Sequence, residues 1–177
     1  MRSFSRLGFL FAILAVTSTS VCAQKNSTKS IEFNRDSFEQ SMPIPHGVVQ
    51  AILRTDTGKL GRQYYPGKSD AELAELFRAI EVRLGPPGET DLLVSGNGFM
   101  SGADNDWFWL VRLVPNRPKV VLWVGGHSIE LRTTHTNGLA DIRSEWNSPN
   151  EMVLSSFHFD GKKYVLVSEK WSEMPKN

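Results

Sequence analysis

Three short β-rich runs make up residues 107–132, WFWLVRLVPNRPKVVLWVGGHSIELR, the densest apolar block after the first 23 residues. In a strand, residues two apart share a face. Residues 107–113 therefore set Trp107, Trp109, Val111 and Leu113 against Phe108, Leu110 and Arg112. Both faces are apolar, and residues 120–124 read the same way, which predicts two strands in the middle of a sheet. Gly125-Gly126 is written like a two-residue hairpin loop with positive φ. That loop would set Val124 beside His127 and Leu122 beside Ile129. From Ser128 the pattern alternates strictly, with Ile129 and Leu131 inward and Ser128, Glu130 and Arg132 outward.

The remaining pattern is built around this block. Residues 24–42 are polar without sustained periodicity and read as a flexible leader, with a turn near residues 33–38. Val48, Val49, Ile52 and Leu53 fall at helical spacing, and Gly58 and Gly61 are expected to end that helix. Ser69 and Glu72 have capping-box spacing. The stripe Leu73, Leu76, Phe77, Ile80 and Leu84 extends the second helix to Gly85-Pro86-Pro87-Gly88. A strand at 91–94 leads into a glycine-rich loop, 96–106. Asn137-Gly138 turns the chain into a strand at 140–146, and Asp160-Gly161 closes a last hairpin with Phe157 across from Tyr164. The predicted fold is α+β: one domain over 43–177, an antiparallel sheet of about five to seven strands with one or two helices packed on one face.

The first 23 residues change the composition. Arg2 and Arg6 precede an apolar run at 7–16 and a small-residue stretch ending Val21-Cys22-Ala23, the pattern of a secretory signal peptide. The run is too short for a membrane span, which needs about 20 residues. Cleavage after Ala23 makes Gln24 the first mature residue; a lipoprotein alternative would lipidate Cys22, but Val21 stands where a small residue is wanted. Cleavage leaves 18 basic against 19 acidic residues, a net charge of −1, with no basic surplus to point to nucleic acid. It also removes the only cysteine, and with it any disulfide, thiol nucleophile or thiolate ligand. A disulfide-free exported domain fits a bacterial periplasm or exterior.

Asn137-Gly138-Leu139-Ala140-Asp141-Ile142, followed by Phe157-His158-Phe159-Asp160-Gly161-Lys162-Lys163-Tyr164, resembles a family of uncharacterised exported bacterial proteins in which an NG-x-x-DI turn precedes an FDG-x-x-Y hairpin. The stretches at 77–79 and 102–109 are similar to companions of that pattern. The family carries no assigned activity, so the resemblance implies export and transfers no catalytic residue.

The candidates for chemistry are few. His46, His127, His135 and His158 form no i, i+4 ligand pair. Asp104-Asn105-Asp106 lacks the glycine and terminal glutamate of a calcium loop. Ser95 and Ser128 lack the G-x-S-x-G elbow, and Gly96-Asn97-Gly98 lacks the remainder of a phosphate or dinucleotide loop. Five tryptophans remain, most of them expected in the core. The sequence therefore nominates a binding surface made of the 96–106 loop and the strand that follows it, with Asn97, Asp104, Asn105, Trp107 and Trp109 as contacts. The expected function is an exported, non-enzymatic module that binds a protein or cell-envelope component, with no cofactor and no metal. The alternative is an envelope hydrolase, possibly metal-dependent, for which His127, His158 and an acid would have to line one pocket.

Overall fold

The computed structural model describes residues 29–114 and 117–174. The predicted signal peptide and the first part of the leader lie outside the described residues, as does Pro115-Asn116, which opens the turn signal Pro115-Asn116-Arg117-Pro118 between the first two apolar runs of 107–132. In chain order the elements are β1 (Ile31–Phe33), a 3-10 turn (Arg35–Phe38), α1 (His46–Ile52), α2 (Asp56–Tyr64), α3 (Asp70–Ala74), β2 (Phe77–Val82), β3 (Asp91–Gly96), a second 3-10 turn (Gly98–Met100), β4 (Asp106–Arg112), β5 (Lys119–Gly126), β6 (Ser128–Thr136), β7 (Leu139–Asn147), β8 (Glu151–Phe159) and β9 (Tyr164–Glu173).

The α+β class holds, but the strands among the described residues number nine and form two sheets rather than one of five to seven. A four-stranded sheet runs β2-β3-β4-β5 and a five-stranded sheet runs β1-β6-β7-β8-β9, with every pairing antiparallel. The four-stranded sheet is the middle of three layers. One face, with Leu93, Phe108, Leu110 and Leu122, packs on Ile129, Leu131, Ile142 and Phe157 of the other sheet. Its second face, with Leu92, Val94, Trp109 and Val111, is covered by Val48, Val49, Ile52 and Leu73 of the helices. The two apolar faces of β4 are thus explained: it is an interior strand shared by both cores. β5 carries the same pattern yet is an edge strand.

Four local expectations are overturned. The Ser69 capping box forms, with Glu72 Oε2 accepting from the Ser69 amide and hydroxyl, but the helix ends at Ala74. Five residues make no stable helix alone. The following stretch gains a full ladder against β3, with Phe77 and Ala79 inward and Arg78 outward. Gly58 and Gly61 do not stop α1; both lie buried inside α2. A Cβ at Gly58 would fall 2.0 Å from the Ile52 carbonyl oxygen, so glycine is what lets two helices meet at so tight a corner. The Thr55 hydroxyl fixes that corner, donating to Ile52 O at 2.7 Å and accepting from the Gly58 amide at 3.1 Å.

Gly125-Gly126 is the third. Both glycines are inside β5, paired with Trp107 and Asp106, and neither has positive φ. The chain leaves one sheet at Gly126 and enters the other at Ser128, so β5 and β6 never form the predicted hairpin. Gly126 serves close approach instead: its Cβ would stand 2.6 Å from the Glu145 carbonyl oxygen. Gly126→Ala is expected to lower stability by about 1–2 kcal/mol, read from the urea midpoint; an unshifted midpoint would show that the two sheets have slack there. The turns expected at Asn137-Gly138 and Asp160-Gly161 are present, with positive φ at Asn137, Gly138 and Gly161 of 50°, 83° and 100°. The last hairpin nevertheless aligns Phe159 with Tyr164 and Phe157 with Leu166, because Lys162 and Lys163 stay in the loop and donate to Asp160 Oδ1.

The described part of the leader is built into the domain. β1 pairs with β6, Phe38 is buried and stacked on Phe108, and the Met42 amide donates to Ala79 O on the outer edge of β2. Few apolar residues mark this stretch because single contacts, not a periodic face, hold it.

Candidate functional site: two aromatic openings

The loop nominated from the sequence is tied down rather than open. Arg35 reaches across from the leader and donates from Nε and Nη2 to the two carboxylate oxygens of Asp106, at 3.1 and 2.7 Å, and from Nη2 to Ser101 Oγ and Gly102 O. These bonds to Asp106 raise the guanidinium pKa further, against the opposing effect of burial. Asn105 acts as a surrogate strand residue, donating to Asn147 O at 2.6 Å and accepting from the Asn147 amide at 3.0 Å. Asp104 contributes its carbonyl to the His127 ring at 3.1 Å. Asn97 offers its side chain to no cap, though its amide is held by Leu76 O.

Trp107 and Trp109 do not form an open platform. Trp109 is fully buried, edge-on to Phe77 at 5.5 Å, with its indole N–H given to Thr55 Oγ1 at 3.2 Å. Trp107 is half-buried against the same core. The expectation that most tryptophans are core is also corrected: Trp123, Trp146 and Trp171 are 41%, 43% and 63% exposed. Trp123 belongs to a strand whose pattern looks like that of a buried strand, so only the extent of the covering layer reveals it.

These exposed indoles line two openings on either side of β5. The first is a trough on the inner face of the five-stranded sheet. β6 to β9 run nine or ten residues, against six to eight in the opposing sheet, so the inner face toward β9 is left uncovered. The register places Trp146, Val153 and Trp171 in one row across β7, β8 and β9. Ser144, Ser155 and Glu169 form the next row on that face, and the Ser155 hydroxyl donates to Glu169 Oε1 at 3.2 Å. Trp146 leans over Gly125, where a Cβ would lie 3.0 Å from its ring.

The second opening is a cleft of about 500 Å³ between the α1–α2 corner and the exposed face of β5, with Trp123 at its side. Arg54, Arg117 and Lys119 stand at its rim.

The histidines do not converge. His127 lies beside Asp104 and Asp106, while His158 is on the outer face of the five-stranded sheet, its Nε2 3.8 Å from Asp141 Oδ2. Burial works against the ionised Asp141, but the Thr134 and Thr136 hydroxyls and the neighbouring His158 and His135 outweigh it and hold the carboxyl below its usual range. His46 contacts Gln50, and His135 the Thr133 carbonyl. Among the described residues no three His, Cys, Asp or Glu side chains gather as a metal site, and no helix is long and apolar enough to cross a membrane.

No protein-family model matches the chain, and neither a curated protein nor a solved structure is significantly similar to it. The resemblance to exported bacterial proteins therefore rests on its motif residues alone.

Proposed function

We propose that this chain is an exported binding module that recognises a saccharide component of the cell envelope in the trough on β7, β8 and β9. The observation that carries this reading is the row Trp146, Val153, Trp171 beside the row Ser144, Ser155, Glu169. Two indoles separated by two strand spacings, about 10 Å, offer apolar faces to the C–H face of sugar rings. The adjacent hydroxyls and carboxylate offer the hydrogen bonds that sugar hydroxyls require. An apolar side chain of a protein partner would bring no hydrogen bond to the Glu169 carboxylate, which is costly once water is excluded. Export rests on Arg2, Arg6, the apolar run and the Ala23 cleavage site.

The test uses protein recovered from the extracytoplasmic fraction, whose mass should place the N-terminus at Gln24. Sedimentation with purified cell-wall glycan should deplete it from solution. Trp146→Ala and Trp171→Ala should each weaken binding by about tenfold or more, as loss of an aromatic anchor does, with melting curves little changed. Glycan binding that survives both substitutions would remove the trough from consideration, and turnover of the glycan would convert the module into a hydrolase.

A protein partner is the second reading, favoured by one observation. β9 is a ten-residue edge strand exposed along most of its length, with Leu166 and Val167 about half exposed. Such an edge can accept an added strand.

A further inference from the structure

We propose that the cleft between the α1–α2 corner and β5 binds an anionic amphiphile, with its charged head held by Arg54, Arg117 and Lys119 and its apolar body laid on Trp123. This site is separate from the trough and does not depend on the saccharide reading. Its volume of about 500 Å³ lies within the roughly 300–1,000 Å³ typical of small-ligand sites.

Charge supports an anion. Arg35, Arg62, Arg112, Arg132 and Arg143 each reach a carboxylate. Arg54, Arg117 and Lys119 form no ion pair among the described residues, although they crowd one rim. Asp56, the one acid lining the cleft, is already held by Lys59 at 2.8 Å. Three unneutralised cations around a concave surface focus a positive potential that an entering anion would satisfy. The chain's near-neutral net charge does not oppose this, because the field is local.

The wall supports an apolar body. Ala51, Pro118, Val120 and Trp123 supply most of it. The Thr55 hydroxyl at the back is saturated by Ile52, Gly58 and Trp109, so it offers a ligand little. Trp123 and Trp109 are cross-strand partners on one face, yet Trp109 is fully buried and Trp123 is 41% exposed. The helices cover the first and stop short of the second. An indole left bare beside three cations is what a carboxylate or phosphate joined to an alkyl chain or ring would complement.

Calorimetric titration of the mature protein with decyl phosphate, decanoate and uncharged decanol tests the proposal, all below the concentrations at which they aggregate. Both anions should bind at least tenfold tighter than decanol. The double substitution Arg54→Gln/Lys119→Gln should abolish that preference. Trp123→Ala should weaken the anions by about tenfold, whereas Trp171→Ala, in the trough, should leave them unchanged. Circular dichroism checks that the variants remain folded. Equal affinity for decanol, or a preference that survives the charge substitutions, would overturn the proposal. So would inorganic phosphate binding as tightly as decyl phosphate, which would mark a bare anion site. Binding to phosphatidylglycerol vesicles without binding to decyl phosphate would also overturn it, by assigning the cations to a bilayer surface.

Discussion

Trp109→Ala should lower the free energy of unfolding by about 3–5 kcal/mol, the range for removing a fully buried large aromatic. Trp109 is wholly inaccessible and lies at the centre of the core between the middle sheet and the helices. The substitution opens a cavity against Phe77 and also leaves the Thr55 hydroxyl without its indole donor, where that hydroxyl fixes the α1–α2 corner. A domain of this size has only about 5–15 kcal/mol in total, so the variant should melt far below wild type or fail to accumulate. Trp109→Phe should be milder, since it keeps a ring and loses the hydrogen bond. A Trp109→Ala loss under 1 kcal/mol, measured by urea unfolding, would show that this residue belongs to a yielding surface, as the sequence alone had allowed.

Arg35→Ala should cost about 3 kcal/mol, toward the low end for breaking a buried ion pair by removing one partner. Asp106 is 4% exposed and depends on Arg35 for two of its contacts, while the Arg35 side chain is half exposed and partly replaceable by water. The loss of Ser101 and Gly102 contacts should loosen the 96–106 loop as well. Arg35→Lys should recover only part of the loss, because a single ammonium cannot reproduce the paired geometry. If residues before Met42 were merely a spacer, the alanine variant would unfold at the wild-type urea concentration; that outcome would show that Arg35 does not fasten the leader to the 96–106 loop.

What the sequence showed was what neighbouring residues decide. The two apolar faces of β4, the helical spacing of Val48, Val49 and Ile52, the Ser69 capping box and the turns at Asn137-Gly138 and Asp160-Gly161 are local, and all are present. What it hid depends on distant partners. The stripe Leu73 to Leu84 is spaced as a helix face, and pairing with β3 overrides it and selects the strand. Gly126 looks like a turn residue until Glu145 is seen against it. The same limit applied to the site. Trp109 and Trp123 sit on strands of similar pattern, and whether an indole meets a helix or solvent is settled by where the covering layer ends. Asn105 and Asp106 were legible as polar residues worth notice, but their partners, Asn147 and Arg35, are far away in sequence.

The pairing of β1 with β6 has a kinetic meaning. Between the named strands, every other ladder joins consecutive strands, so β2 to β5 and β6 to β9 can each zip up as a local meander. Ile31 must wait for Leu131. Closing so long a loop is entropically expensive and is repaid by only three residue pairs. Among the described strands, the earliest in the chain is therefore expected to be secured late, because Ile31 to Phe33 cannot pair until β6 is in place.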